Sequence, residues 1–213
     1  MAIMVTNTWT PNSSGATPQL TENLRLSRDA MHTDGQQVDT LRLMPGGGGV
    51  PGEMALAMEF EDMAAYAKAV SAGVTPAVAE AQASMQYPNS APVRATTWSE
   101  IPGLEIPYGD LPQGVVLTSY SKIAPGKAAE AIARVSKSKE IMTKLGGSIR
   151  VMVANLSNPA GIILYGMYHE SAEAMAAFGD AMNGDADWQA HWADTSSFGV
   201  NEIIRQSGWE ILD

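Results

Sequence analysis

The sequence contains no cysteine, which removes disulfides, thiolate zinc sites, iron–sulfur clusters and thiol nucleophiles together and leaves the redox compartment open. Basic residues are scarce: 13 Lys and Arg stand against 23 Asp and Glu, a formal net charge of −10. Such a surface repels phosphate backbones and anionic headgroups, so neither nucleic acid nor a membrane surface is expected as a partner. No apolar run of about 18 residues occurs, and the N-terminus shows no charged start followed by an apolar stretch and a small-residue cleavage site. The cytoplasm is the expected location. Aromatic residues make up 7% of the chain and histidines number three, so acid–base or metal chemistry must draw on His32, His169 and His191 or on carboxylates.

What remains is the composition of a globular chain, 45% hydrophobic and 17% charged, with length enough for one large domain or two of about 100 residues. Residues 2–10 are rich in β-branched and aromatic types and run into the turn formers Pro11 to Gly15, the pattern of a strand. Thr17-Pro18 then opens a helix with Leu20, Leu24, Ser27 and Met31 on one face, which Gly35 closes. Strands over Val38–Leu43 and Met54–Phe60 flank a run of four glycines, Gly46 to Gly49. That run lacks the Gly-Lys-Ser/Thr ending of a phosphate loop and leads into a strand, so it reads as a flexible hairpin tip. Asp62 caps a helix carrying Met63, Tyr66 and Val70; Thr75-Pro76 starts another that reaches Tyr87 and stops at Pro88; residues 93–100 form a fourth strand.

After a Pro- and Gly-rich stretch, 101–113, the order repeats. A strand at 115–122 precedes a helix at 127–145, whose apolar stripe is Ala128, Ile132, Val135, Met142 and Leu145. Its basic residues, Arg134 among them, read as a solvated face. Strands Ser148–Ala154 and Ile162–His169 follow around a turn between Asn155 and Gly161, then a helix capped by Ser171, a short helix at 186–193 and a last strand at 200–212. Landmarks recur at a shift of 111: Trp9 with Tyr120, Gly15 with Gly126, Met31 with Met142, Gly35 with Gly146, Trp98 with Trp209. Met63-Ala64-Ala65-Tyr66 and Met175-Ala176-Ala177-Phe178 recur at 112.

The sequence therefore reads as a tandem duplication: a first unit at 1–100, a linker at 101–113 and a second unit at 114–213. The fold class is α+β. Each unit is β-α-β-β-α-β with one extra short helix, a four-stranded antiparallel sheet with helices on one face. Packing the two bare sheet faces together gives an intramolecular α+β barrel with helices outside. In this pattern the chain resembles the dimeric α/β-barrel superfamily of ferredoxin-like proteins, in particular the antibiotic-biosynthesis-monooxygenase-like and NIPSNAP-like domains. Members usually pair as homodimers and hold ligands between a sheet and its own helices. The resemblance implies a single-chain pseudo-dimer, open to further homo-oligomerisation, in which each half keeps or loses a pocket independently.

His32 lies at a helix end, where the dipole favours a cation, and reads as structural. His169 ends a strand and reads as a surface residue or a pocket rim. His191 follows Trp188 by three residues and precedes Trp192. It is either a helix residue beside packed tryptophans or a base in an aromatic pocket of Trp188, Trp192, Tyr120 and Tyr165. The resemblance adds that some monooxygenase-like and haem-degrading members carry an aromatic followed by a histidine on the equivalent helix, the latter with an asparagine on the first strand. Asn7, beside Trp9, meets that description, but a shift of 111 carries Asn7 to Thr118 and His191 back to Glu80. Neither copy holds both residues, so a haem-degrading site is not expected.

The expectation is a small-molecule-binding protein without cofactor or metal. Its catalytic candidates are His191 and Tyr120, and its ligand contacts are Trp188, Trp192, Tyr165, His169, Asn7 and Trp9. Its activity would be that of a cofactor-independent monooxygenase-like enzyme on an aromatic or polyketide-like substrate; the alternative is a non-catalytic ligand-binding or assembly protein. Glu59, Glu61 and Asp62 read as strand alternation and a cap, and Asp180, Asp185 and Asp187 as caps and solubility, since their spacing is not that of a calcium loop. The 13 methionines read as core.

Overall fold

The computed structural model describes residues 1–85, 90–155, 161–196 and 199–212. Its strands are β1 (Ile3–Pro11), β2 (Val38–Leu43), β3 (Met54–Phe60), β4 (Ser90–Glu100), β5 (Val115–Ile123), β6 (Ser148–Ala154), β7 (Ile162–His169) and β8 (Asn201–Leu212). The helices are α1 (Thr17–Thr33), α2 (Met63–Ala72), α3 (Pro76–Ser84), α4 (Ala128–Lys144), α5 (Ala172–Gly184) and α6 (Ala186–Ser196). The expected helix end at Tyr87 and Pro88, and most of the turn between Asn155 and Gly161, lie outside the described residues. All strand pairs are antiparallel in the order β1-β3-β2-β8-β5-β7-β6-β4, and β4 returns to pair with β1, so the sheet closes. Each half contributes four strands in the same spatial order, fourth-first-third-second.

Period-two alternation gives this sheet two apolar faces. Outside, Leu20 and Leu24 of α1 pack on Val38, Met54 and Leu56, while Ala131, Val135 and Met142 of α4 pack on Ile149, Val151 and Ile163. Inside, Met4, Ala57, Trp98, Met152 and Leu164 form one cluster, and Leu43, Val116, Trp209 and Ile211 another. Each such large side chain, fully buried, contributes about 1.5–3 kcal/mol against exposure. The stripe of α4 differs from the expected one: Ala131 and Ser138 are buried, and Ile132 is exposed.

The two seams between the halves match. Leu43 pairs with Trp209 and Trp98 with Ala154, and a shift of 111 turns one pair into the other. Trp98 Nε1 donates to Thr6 Oγ1 and Trp209 Nε1 to Thr118 Oγ1, both at 3.0 Å. The shift is not uniform, however. Equivalent ladders and equivalent bulges, after Thr8 and after Tyr120, relate β1 to β5 by 112, and the β1·β3 and β5·β7 registers relate β3 to β7 by 109. Trp9 therefore corresponds to Ser121 rather than to Tyr120, and Asn7 to Ser119 rather than to Thr118. Asp62 and Ser171 cap equivalent helices by accepting from Ala65 N and Ala174 N, which sets the Met-Ala-Ala echo almost one turn out of step.

The glycine run is not a free hairpin tip. Met44 N donates to Gly208 O and Gly208 N to Gly47 O, extending the seam. A Cβ at Gly47 would lie 2.6 Å from Gly208 O, so only glycine permits this approach.

The barrel interior is polar at one end. Arg150 donates to both carboxylate oxygens of Glu59, at 2.6 and 2.8 Å, and its Nε to Glu100 at 3.2 Å, all three side chains at most 5% exposed. Burial lifts Glu59 above the ordinary carboxylate range, with the Arg150 contact pulling the other way. Burial, the largest influence, would lower Arg150, but its bond to Glu59 and the charges of Glu59 and Glu100 together outweigh this and raise it. Tyr108, in the 101–113 stretch, donates to Asp39 beside this cluster, while Ile101 and Leu111 are buried, so the stretch is anchored at both ends. The space left among these side chains is about 40 Å³, room for water but not for an organic ligand.

Candidate functional site

A much larger space lies outside the sheet in the second half. Between β5, β7 and β8 on one side and α4 and α6 on the other is a cleft of about 620 Å³, within the range of small-molecule sites. Strand alternation supplies its floor: Ser119 and Ser121 from β5, Tyr165 and Met167 from β7. Arg134, Ser138 and Met142 recur every four residues on α4 and so line one wall from end to end. Asp185 starts α6 by accepting from Trp188 N at 2.7 Å. One turn on, Trp192 stacks with Trp188, ring centroids 6.1 Å apart and planes 23° off parallel, and the two indoles form the outer wall.

The polar centre is Ser138. Its Oγ lies 2.7 Å from His191 Nε2, and it also hydrogen-bonds the Tyr165 hydroxyl. Tyr165, Ser138 and His191 thus form a chain running from the cleft floor through the helix wall to α6. Burial holds His191 below its ordinary value, opposed by Asp194 and reinforced by Arg134 and Lys137, so its imidazole is neutral at neutral pH and able to accept a proton. Burial raises Tyr165, so its hydroxyl stays protonated and can only pass a proton through.

The structure thus brings His191, Tyr165, Trp188 and Trp192 together but separates four other expected residues from them. Tyr120 points into the barrel, its ring tilted against Trp98 with centroids 5.8 Å apart and with Arg205 over its face; it cannot reach His191 through the sheet. His169 shares the outer face of β7 but is sealed under Phe178 of α5, 5.2 Å between rings, and its Nε2 has no partner. Burial lowers its pKa. Asn7 and Trp9 belong to the first half, where Trp9 packs on the Leu20, Leu24 and Val38 cluster.

That last contact explains an asymmetry. Where the second half has Ser121, the first has an indole lying against its core. The cap positions Thr75 and Asp185 also align His191 with Ala81 rather than Glu80. Ser138 and Arg134, missed in the sequence, both lie on α4; the spacing Arg134, Ser138, Met142 was the available signal, obscured by reading Arg134 as a solvated face.

Among the described residues no group of three His, Asp or Glu side chains is arranged to hold a metal ion, and no helix is long and apolar enough to cross a membrane. His191 does not fit the role of an axial ligand to haem in the cleft, because its Nε2 is engaged by Ser138.

No family model matches this chain, and no curated protein matches it. Solved structures do. An anthrone oxidase-like protein is similar over 100% of this chain and 92% of its own, with a TM-score of 0.60 at 12% identity. A candidate monooxygenase from Lactobacillus acidophilus NCFM gives 0.60 at 9% identity over 99% and 93% of the two chains. A variant of chlorite dismutase from Candidatus Nitrospira defluvii gives 0.56 at 8% over 100% and 91%. At these identities the likeness is one of fold, and the fold shared is the ferredoxin-like α/β barrel.

Proposed function

We propose that the second-half cleft binds a flat, hydroxylated aromatic or polyketide-like molecule and activates it towards dioxygen by removing a proton. The observation that carries this reading is the Ser138–His191 contact, which places a neutral base one hydroxyl away from a roomy aromatic cleft. A substrate hydroxyl or activated methylene gives its proton to Tyr165 or Ser138, which passes its own on to His191. The electron-rich enolate that remains is oxidised by dioxygen: one oxygen atom becomes a ring carbonyl, and the other leaves as water with the two hydrogens lost from carbon. An anthrone is a fitting probe for this chemistry, and the likeness to an anthrone oxidase-like protein supports the choice.

The activity would depend on neutral His191. It is expected to rise as pH climbs through a His191 pKa below the ordinary 6.5 and then to level off. His191→Gln should abolish that limb and lower kcat by roughly 10²- to 10⁴-fold. Oxygen uptake with dihydroxyanthrone across a pH series measures both, and equal rates for the two proteins would sink the base assignment. One feature favours the rival reading, a binding protein without turnover: His191 does not itself line the cleft and bonds towards it through Ser138. Binding that survives His191→Gln, with no oxygen uptake by either protein, would select it.

The duplication belongs to the same proposal, with copies at 1–100 and 114–213 joined by 101–113. The matching seams support it, and the barrel closes without a second chain.

A further inference from the structure

The floor of the cleft has one open side, along β8. On one edge β8 pairs with β5 from Asn201 to Glu210, but on the other β2 pairs only from Trp209 to Leu212, and the glycine run backs it only at Gly208 and Gln206. Among the described residues no strand covers that edge at 201–204, where Ile203 and Ile204 are 40% and 48% exposed. Ile203 lines the cleft and stands opposite Ser121 in the register, and Trp192 of the outer wall is 49% exposed. Glu202, next in sequence, does not line the cleft. In a chain with a net charge of −10, the cleft thus runs out over an apolar rim, the kind of exposed surface that marks a binding groove.

The register also fixes how far this rim lies from the polar centre. Tyr165 pairs with Ser119 on one side of β5, and Ile203 pairs with Ser121 on the other. The path between them is two strand spacings across and two residues along, about 12 Å.

We infer that the ligand carries an aliphatic substituent: its hydroxyl meets Ser138 and Tyr165, its rings lie over Ser119 and Ser121, and an alkyl or acyl chain on the far ring leaves the cleft against Ile203 and Trp192. The inference rests on the cleft being the ligand site and extends that reading to the part of the ligand that the chemistry does not touch. The rim is continuous with the cleft floor, so one molecule can fill the first and cover the second. Ile203 presents a branched side chain with no hydrogen-bonding group, so a polar tail would lose water there without gaining a partner. An unsubstituted ring system leaves that surface wet.

Isothermal titration of the full chain with two probes tests this: naphthol, and naphthol with a butyl chain on the ring remote from the hydroxyl. A methylene fully withdrawn from water tightens binding about fourfold, so four carbons covered along one side should give the butyl probe an advantage of about tenfold. Ile203→Ser should reduce that advantage to about twofold, and Ile203→Val should keep most of it. Val70→Ser, at an exposed apolar position on α2 in the first half, should leave it whole. Thermal unfolding shows that each variant is folded. Equal affinities for the two probes, or an advantage that survives in a folded Ile203→Ser protein, overturn the inference while leaving the cleft as a ligand site. Failure of both probes to bind overturns the cleft reading and this inference with it.

Discussion

Replacing Arg150 by methionine should destabilise the folded chain by about 3–5 kcal/mol, the cost of removing one partner from a buried ion pair. The side chains are of comparable length, so the loss is electrical rather than a matter of volume. Glu59 and Glu100 remain within the barrel, nine-tenths or more out of solvent, with their shared cation gone. Burial already raises Glu59, so the folded state binds protons more readily than the unfolded chain, and its stability from this group falls as pH rises from the unfolded value of 4.5 through the folded one. Without Arg150 the folded pKa moves further up. The deficit should therefore be full at pH 8 and smaller at pH 5, where protonation neutralises the stranded Glu59 carboxylate. Urea unfolding at both pH values measures it, and adding Glu59→Gln and Glu100→Gln should restore much of the loss. A deficit under about 1 kcal/mol at pH 8 would show that the cluster contributes little.

Ser121→Trp should remove ligand binding almost entirely, with affinity falling by about a hundredfold or more. The substitution copies into the second half what the first already has at the equivalent position, Trp9. Ser121 lines the cleft floor beside Tyr165, so an indole there takes the place of the ligand ring. Because Ser121 is 1% exposed, the added volume also risks strain. Ser121→Leu is the milder step, expected to weaken binding by less while melting close to the parent. Calorimetric titration with dihydroxyanthrone, alongside thermal unfolding, separates the two effects. Parent-like binding by a folded Ser121→Trp protein would place the ligand elsewhere.

The strand and helix order was legible because local signals agree: Asp62, Thr75 and Ser171 cap helices as their types suggest, and the strands alternate. A shift of 111 also relates the bounds of α1 to those of α4 and one seam to the other. It failed where a single residue matters most. The ladders place β1 against β5 at 112, and in a strand a slip of one residue exchanges the two faces. The 111 shift pairs Trp9 with Tyr120, yet Trp9 lies on the outer face and Tyr120, expected in the aromatic pocket, lies inside the barrel. Nor could the pattern show that Ser138 meets His191 across 53 residues, or that Arg150 meets Glu59 across 91. Glu59 reads locally as ordinary alternation; only closure of the sheet brings its partner to it.

The methionines offer the most direct test of where the ligand sits. Met142, Met167 and Met182 line the cleft, Met4 and Met152 line the barrel interior, and Met31, Met54 and Met58 pack in the first half. Methyl-labelled methionine spectra recorded while dihydroxyanthrone is added should show shifts at Met142, Met167 and Met182 with the other five unmoved. Shifts centred on Met4 and Met152, or on Met31, Met54 and Met58, would contradict a ligand site in the second-half cleft.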